Sequence, residues 1–544
     1  ALQDLNNRSR IQLDDGSSTS NPMPLPPYLG AGNTLRTGDS VAGVTGVLSF
    51  GFGSYEIHPT QPVTFTRDNV RPDVPDVGGR LQVAAYNVLN YFTTIDNAGP
   101  ICGPLGNQGC RGADTAAEFA RQRDKLITAI STLDADVVGL MEIENHPGDV
   151  PTADLVAGLN AATAPGTYDF VATGAVGTDA IRQAILYKPA SVTPVGGFEV
   201  LDSSDNPLFD DARNRPMVVQ TFTENATGAV FTVAVNHLKS KGSNCNAVGD
   251  PDTGDGQGNC NLTRTTAAQA IVDYLATDPT GSGDGDVLII GDLNAYAMED
   301  PITTIEAGGY TDLIESFVGT GFNAGAYSFN FFSQSGYLDH GLASPSILSQ
   351  VSGADFWHVN ADEPRGLDYN DFNQPGLYNP DEFRSSDHDP VVIGLELDTP
   401  MSLKLETIDE LSALLPTGNT TDDKFIQKAI DRIDQSLNPA WWVDLATLDP
   451  GTGGQVFDRE HQAVQELQKV NNVDVQSAID QIVEADRLLA QRQLDAAIAA
   501  GGDAKDIAKA QGNIADAVAN AASGNYAKAV LDYKKAWQNA VKAL

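Results

Sequence analysis

Six apolar runs in the middle of the chain each adjoin a short cluster of acids, amides or imidazoles. This recurrence constrains the fold more than any other feature. The clusters are Asn87, Glu142–Glu144–Asn145, Asn236–His237, Asp292–Asn294, Asp339–His340 and Asp387–His388. A single polar strand end means little, because strands stop at the surface and loops are polar. Taken alone, Asp292 and Asn294 read as a helix cap after a strand, and Asp339–His340 as a satisfied turn pair. Six such ends, using three of the seven histidines, point instead to strands that converge on one rim and build one site.

The runs themselves read as strands. "LQVAAYNV", "ADVVGLMEIE", "AIRQAILYK", "MVVQTF", "AVFTVAVNHL", "DVLIIGDLNA", "YLDHGLAS" and "PVVIGLEL" are short, apolar and rich in β-branched residues. "TAAEFARQRDKLITAISTL" and "TRTTAAQAIVDYLAT" carry apolar residues at helical spacing. Alternating strands and helices over residues 81–398 predict an α/β (α+β) four-layer sandwich: two mixed β-sheets packed together and flanked by helices.

The ends of the chain differ from this middle. Residues 1–70 read as a β-rich segment, with "RIQLDDG" and "DSVAGVTGVLSFGFGSYEIHP" alternating apolar and polar residues, and 71–80 as a Pro/Gly linker. Residues 399–544 are rich in Ala, Gln, Asp and Lys and predict a helical accessory domain, a spacer or adhesion module with no visible chemistry. Its last helix should bury Ala529, Tyr533, Ala536, Trp537, Ala540 and Leu544, and Trp441–Trp442 should be core. No run approaches the ~18 apolar residues of a membrane span. No leader with a basic start and an apolar core opens the chain, so any signal peptide is expected to have been removed.

Net charge is −39, the wrong sign for holding nucleic acid on a broad basic surface. An acidic surface serves solubility, binds divalent cations, or repels anions everywhere but one focused cleft. The four cysteines form two local pairs in Gly/Asn/Asp-rich loops, Cys102/Cys110 and Cys245/Cys260. Zinc sites want tighter spacing with histidine nearby. Two disulfides stapling surface loops are therefore expected, and with them an oxidising compartment, hence a secreted or periplasmic protein. The Asp/Gly-rich loops 249–259 and 278–287 read as solvated turns, with structural Ca²⁺ as the alternative.

The residue types at the strand ends suit one reaction. Carboxylates and amide oxygens suit a hard cation such as Mg²⁺, Mn²⁺ or Ca²⁺. A histidine titrating near neutrality suits proton transfer with water. Together they read as metal-assisted phosphoester hydrolysis. The zinc pattern His-Glu-x-x-His and the serine-hydrolase pattern Gly-x-Ser-x-Gly do not occur.

Residues 80–398 resemble the endonuclease/exonuclease/phosphatase superfamily. "AAYNVLNY", "VVGLMEIEN", "VNHLKSKGS", "IGDLNAYAMEDP", "GYLDHGLAS" and "SSDHDPVV" occur in the order expected of it. The β-rich lead-in, "HVNADEP…LDYN" (358–370) and the two-cysteine insert after "NHLKSKGS" resemble the branch of large secreted bacterial nucleases that degrade extracellular DNA. The lead-in is similar to the end of that branch's OB-like module. The resemblance implies roles. Glu142 is the principal metal ligand, with Asn87 and Asp387 placing metal or phosphate. Asp292 and Asn294 orient the attacking water and hold phosphate or metal. His388, oriented by Asp339, acts on that water, and His237 contacts the scissile phosphate. Arg215 holds substrate phosphate, and Arg182 and Asp179 are further candidates. The family often has Gln where this chain has Met141, a departure that bears on metal affinity.

Lys239 and Lys241 beside His237, with Arg182, Arg213, Arg215 and Arg264, are expected to line the same rim and hold a phosphodiester backbone. On a strand, His340 should point away from Asp339. His58, His146, His358 and His461 read as structural or exposed. The expected activity is a secreted bacterial nuclease, monomeric and metal-dependent, cutting DNA with little sequence specificity, with RNA as a further candidate substrate. A phosphatase or phosphodiesterase for small or lipid phosphoesters is the alternative within the same fold, and a non-catalytic binding protein is the alternative outside it.

Overall fold

In the computed structural model, which describes residues 2–19, 22, 24–26, 35–97, 99, 101–370 and 375–544, the apolar runs become strands buried on both faces. A short helix α1 (Leu2–Ser9) and strands β1 (Gln12–Leu13), β2 (Gly46–Gly51) and β3 (Ser54–Pro59) come first. Then follow β4 (Leu81–Tyr91), β5 (Val137–Glu144), β6 (Asp169–Phe170), β7 (Ile181–Tyr187), β8 (Val192–Leu201), β9 (Arg215–Glu224) and β10 (Val230–His237). After these come β11 (Val287–Asp292), β12 (Thr311–Asp312), β13 (Phe329–Phe331), β14 (Gln334–Gly336), β15 (Asp339–Ala343), β16 (Val351–Phe356) and β17 (Val391–Leu395). Helices α2 (Ala116–Leu133), α3 (Val150–Ala162), α4 (Asn261–Leu275), α5 (Asp300–Ala307) and α6 (Leu313–Phe317) lie between strands.

Two six-stranded sheets result, in the orders β16-β17-β4-β5-β7-β6 and β12-β15-β11-β10-β9-β8. They pack face to face. A Cβ on Gly139 of β5 would lie 2.8 Å from the side chains of Ile290 and Val235 on the other sheet, so only glycine allows this approach. Leu126, Ile130, Leu155 and Leu159 of α2 and α3 cover the outer face of the first sheet, against Tyr86, Val88 and Leu140. Ile271 and Ile302 of α4 and α5 cover the second, against Ala234, Ile289 and Leu342. The order helix, sheet, sheet, helix is the expected four-layer sandwich. Strands buried on both faces explain why the sequence shows continuous apolar runs rather than alternation.

The lead-in contains β-structure as a three-stranded sheet ordered β1-β3-β2, but it opens with a helix, which the β-rich expectation did not include. That helix is short and exposed, with Arg8 paired to Asp4 at 2.8 Å. Residues 20, 21, 23 and 27–34 of the lead-in lie outside the described residues. The 71–80 stretch is docked rather than loose. Arg71 meets both carboxylate oxygens of Glu363 at 2.9 Å, and the Val77 carbonyl accepts from Ser352 at 2.8 Å.

The cysteines pair as expected, Cys102 with Cys110 and Cys245 with Cys260, and residues 246–249 and 251–256 between the second pair are exposed, so that bridge staples a surface loop at a buried anchor. Cys260 is fully buried, and Cys245 nearly so. Cys260 heads α4 at φ +64°. Its carbonyl accepts the Arg264 amide at 3.0 Å, and its own amide donates to the Asp250 carbonyl at 3.1 Å. The residue therefore belongs to the first turn of a helix packed on the second sheet, and the bridge anchors the 245–260 insert to that helix.

The chain divides into two compact units, Ala1–Phe222 with Phe231–Glu396, and Thr223–Val230 with Leu397–Leu544. The second holds helices α7 (Pro400–Ala413), α8 (Thr420–Ser436), α9 (Gly454–Leu467), α10 (Gln476–Ala499), α11 (Ala504–Ala522) and α12 (Tyr526–Ala543). Pro400 at the first helical turn and a Thr399 capping box start α7 sharply. Ile426, Ile433, Phe457, Val464, Ile482, Tyr533 and Trp537 form the core, with Trp441 and Trp442 packed against it. Of the face expected for the last helix, only Leu544 is exposed, because α12 ends one residue before it.

Three charged groups are fully buried in this helical core: Lys404 of α7, Glu460 of α9 and Asp486 of α10. Lys404 Nζ lies 3.3 Å from Glu460 Oε1, and the carboxylate oxygens of Glu460 and Asp486 have no conventional hydrogen-bond donor. Burial, and then the charge of Glu460, push Asp486 well above the usual carboxylate range. The pair holds a proton. Below about pH 4 the Asp486 carboxyl is protonated in folded and unfolded chains alike. Above that, only the unfolded chain releases the proton, so folding stability falls with rising pH, by about 1.4 kcal/mol per unit, until the folded carboxyl ionises. The unfolding temperature of the helical unit, followed by tryptophan fluorescence, should therefore drop as pH rises from about 5 to 8, and Asp486→Asn should flatten that slope. Equal slopes in the two proteins would show that no proton is held there.

Candidate active site

Strand pairing brings the polar clusters to one rim. His237 ends β10 and pairs in register with Asp292, which ends the parallel neighbour β11. Asp292 pairs in register with Asp339, which begins the antiparallel β15. Directly opposite residues share a face, so His237, Asp292 and Asp339 form one row across the sheet. Gly291 makes this pairing close: it sits at φ +126°, and a Cβ there would lie 2.1 Å from the Asn236 carbonyl. His340 turns to the other face, within 2.8 Å of the Ala295 carbonyl and 3.2 Å of Asp312.

The other sheet supplies the facing groups. Val391 of β17 pairs with Ala85 of the antiparallel β4, which sets residues 387–388 beside the end of β4. Asp339 therefore begins its strand and Asp387–His388 precede theirs, instead of ending them, and antiparallel pairing carries them to the same rim. Hydrogen bonds between these groups cross from sheet to sheet. His388 Nδ1 donates to Asp339 Oδ2 at 2.7 Å, and Asn87 Nδ2 donates to Asp292 Oδ2 at 3.3 Å. His237 Nε2 lies 3.5 Å from Asp292 and 4.0 Å from Glu142.

Glu142 reaches this cleft through a break in its strand. It has φ +66°, and the ladder shifts register on both sides of it, between Asn87 and Tyr91 of β4 and between Leu140 and Ile143 of β5. Such bulges re-aim a side chain at a cost in backbone strain. Glu142 Oε2 accepts from the Asn90 amide at 3.0 Å, and Asn90 and Leu89 are themselves at positive φ.

The groups around the cleft are unbalanced in charge. Burial, with Asp339 and Glu142 nearby, pushes Asp292 up to about 7. Burial and Asp387 raise Glu142. Burial lowers His388, but Asp339, Asp292 and Asp387 outweigh it and raise the imidazole well above its ordinary value. Burial, then Arg215, holds His237 well below that value, so His237 is neutral. An excess of crowded carboxylates, all hard oxygen donors with the Asn87 amide among them, fits a divalent cation. Glu142, Asp387, Asn87 and Asp292 are the residues that would hold one. Asp292, Asp339 and His388 also bring ligand atoms within 4.8 Å of one another.

The cationic residues separate into two groups. Arg215 is at the site, its Nε 3.1 Å from Asp179 and its Nη1 donating to the Leu238 carbonyl at 3.0 Å. Lys239 follows, half-buried, and Asn294 Nδ2 donates to the same Leu238 carbonyl at 3.2 Å. Arg182 does not face the cleft. It is fully buried, and its guanidinium is taken by Asp149 at 2.5 Å, Thr173 and Thr152. Arg264 is also fully buried, spent on the carbonyls of Lys239, Asn259 and Gln257. Lys241 is tied to Glu299 at 2.6 Å. Arg213 pairs with Asp210 at 2.5 Å and belongs with Arg215 and Lys239, since its charge is felt at Lys239.

The Asp/Gly-rich loops spend their acids on their own backbone. Asp250 accepts from the Leu262 and Thr263 amides, and Asp278 from those of Ser282 and Gly283. Neither loop brings three His, Cys, Asp or Glu ligand atoms within 4.8 Å of one another among the described residues.

Several supporting residues are invisible to strand-end reasoning. Ser328 Oγ donates to Asp339 at 2.6 Å, and Phe329 stacks on His388 with centroids 4.6 Å apart. Asp389 accepts from the Asn360 and Ala361 amides and from His358, and Asn360 Nδ2 donates to the His388 carbonyl at 2.7 Å. Arg111, next to Cys110, pairs with Asp179 at 2.6 Å. Only its position beside a cysteine in a loop offered a signal.

Comparison with solved structures finds an endonuclease/exonuclease/phosphatase family protein of Bacteroides thetaiotaomicron at 20% identity and TM-score 0.38, covering 58% of this chain and 98% of that one. A mannosyl-6-phosphatase of the same organism is similar at 18% identity and TM-score 0.37, covering 58% and 99%. The human Nocturnin catalytic domain with bound sulfate is similar at 15% and 0.37, covering 60% and 97%. No curated protein matches the chain. The model of the endonuclease/exonuclease/phosphatase family matches residues 84–388, more than half of the 544 residues and the whole span from Asn87 to His388 just described; the chain belongs to that family.

Proposed function

We propose that this protein is a secreted, metal-dependent nuclease that hydrolyses phosphodiester bonds of DNA with little sequence specificity, with RNA as a further substrate to test. Members of the family are hydrolases of phosphoester bonds, nucleases or phosphatases, and generally use divalent metals. The observation that carries the reading is the Asp339–His388 pair at 2.7 Å, set in the same rim as Glu142, Asp292 and His237.

Each side chain has a role that its surroundings support. A cation held by Asp292 and Asp387 would offset two of the charges that raise His388; with Nδ1 given to Asp339, the imidazole would then offer Nε2 to the attacking water and take its proton. Asp292 and Asn294 orient that water. The water oxygen bonds to phosphorus in line as the bond to the sugar oxygen breaks, and the leaving oxygen takes a proton from solvent water. His237, neutral, donates to a phosphate oxygen, and Arg215 and Lys239 hold its charge. Glu142, Asp387, Asn87 and Asp292 would hold a divalent ion, which would supply charge neutralisation and polarisation of the phosphoryl group. Two disulfides with no free cysteine favour an oxidising compartment. Among the described residues no helix is long and apolar enough to cross a membrane.

Plasmid DNA and a generic phosphomonoester, each with and without chelator, test the reading. Nicking of the plasmid is expected, abolished by chelator and restored by Mg²⁺ or Mn²⁺. Hydrolysis of the monoester alone would favour a small-phosphoester enzyme. His388→Ala should lower turnover by about 10²–10⁴-fold, and Asp339→Asn, which removes the orienting carboxylate, by a similar order. Glu142→Gln should lose metal-dependent activity while the unfolding temperature stays close to that of the parent. A His388→Ala protein as active as the parent would end the catalytic reading and leave a binding protein.

A further inference from the structure

We propose that Arg111, seated by the Cys102–Cys110 loop, forms with Arg213, Arg215 and Lys239 a cationic ledge beside His237 that binds a phosphate flanking the scissile one, so that the site prefers a polynucleotide to a small phosphoester. The proposal rests on the nuclease reading and assigns Arg111 as a specificity-determining residue for it.

The loop that carries Arg111 is built to hold it. The disulfide closes residues 102–110, and the backbones of Cys102 and Gln108 exchange hydrogen bonds at 2.9 and 3.0 Å. Both cysteines pack against Phe92, Ala180 and Ile181. Gln108 then fastens the loop to the start of β7, donating to the Thr178 carbonyl and accepting from the Ala180 amide at 3.0 Å. Arg111, the next residue after the disulfide, is thereby set against Asp179. That carboxylate is shared: Oδ1 takes Arg111 at 2.6 Å, and Oδ2 takes Arg215 at 3.1 Å.

Sharing leaves positive charge over. The ledge has four cations, while Asp179 and Asp210 are the carboxylates bound to them. The crowding is felt at its neighbours: besides burial, Arg215, Arg111 and Arg213 push the Lys239 ammonium down, and Arg215, Arg111 and Lys239 push His237 down. A phosphate relieves that repulsion. On a chain of net charge −39, such a concentration of cations beside the catalytic rim is where a polyanion is drawn. Arg215 is nearly buried, with 7% of its side chain exposed, whereas Arg111 is 40% exposed. Arg215 therefore suits the phosphate inside the cleft, and Arg111 suits one outside it. Of the five guanidinium N–H donors, Arg111 uses its Nη2 for Asp179, and the rest of the fork remains for a phosphate.

The test compares a single-stranded oligonucleotide with bis(p-nitrophenyl) phosphate, a diester with no flanking phosphate, using the full chain. Arg111→Ala should lower the ratio of kcat/KM for the oligonucleotide to that for the small diester about tenfold, chiefly through KM, and reduce the salt slope of log kcat/KM on the oligonucleotide by about 0.7. Arg111→Lys should restore much of the ratio. A Cys102→Ala/Cys110→Ala double variant that keeps its unfolding transition should show the same fall in ratio as Arg111→Ala. Equal losses on both substrates would mean that Arg111 acts by holding Asp179, and an unchanged ratio would mean that it meets no phosphate; either overturns the proposal. A parent protein that cleaves neither diester would instead overturn the nuclease reading.

Discussion

Everything at the rim depends on one row of ionisable groups, His237, Asp292 and Asp339, paired in register across three neighbouring strands of an otherwise apolar sandwich. Burying so many charges together is costly unless each is paired. The fold meets that requirement by crossing the sheets, with Asn87 reaching Asp292 and His388 reaching Asp339. The remaining imbalance is negative, and a divalent cation is the group that best offsets it. Burial and the nearby Arg215 hold His237 neutral, and a carboxylate of the row, Asp339, directs His388.

A site of this kind has to be rigid, and its supports come from the surrounding loops. His388 is held by Asp339 at Nδ1, by the Asn360 amide at its carbonyl, by Ser386 Oγ at its amide nitrogen and by Phe329 against its ring. Ser386 also donates to the Asn87 carbonyl at 2.6 Å, which links the two strand ends of the first sheet. Glu142 is held in a strained left-handed conformation. Such strain persists where neighbours over-determine the backbone, and here the bulges in both adjoining ladders and the Asn90 amide do so.

Charged residues show where reading from sequence succeeds and where it stops. The acids and histidines at strand ends were legible because the apolar runs beside them fix where the strands lie. The pairing of the cysteines was legible because short segments bring them together, but the burial of Cys260 at the head of α4 was not, since it depends on how that helix packs. The arginines and lysines were not legible either. Arg182, Arg264 and Lys241 carry the same charge as Arg215, yet each is spent on a buried partner that lies far away in sequence or on a backbone carbonyl. Arg111 was overlooked for the opposite reason. Its neighbours Asp179 and Arg215 are brought to it only when the disulfide loop docks on the start of β7.

Hydrophobic patterning by itself determined that this chain makes a two-sheet sandwich followed by a helical unit, and that acids, amides and imidazoles terminate or precede its strands. Burial of apolar surface acts on each segment locally, so its signal is written in each segment. Which of those polar groups meet, and with what charge around them, was decided only by strand register, by two bulges and by cross-sheet pairing. Those are contacts between residues far apart in sequence, whose electrostatic interaction depends on a few ångströms of separation and on the loss of solvent between them, and neither quantity exists before the chain is folded.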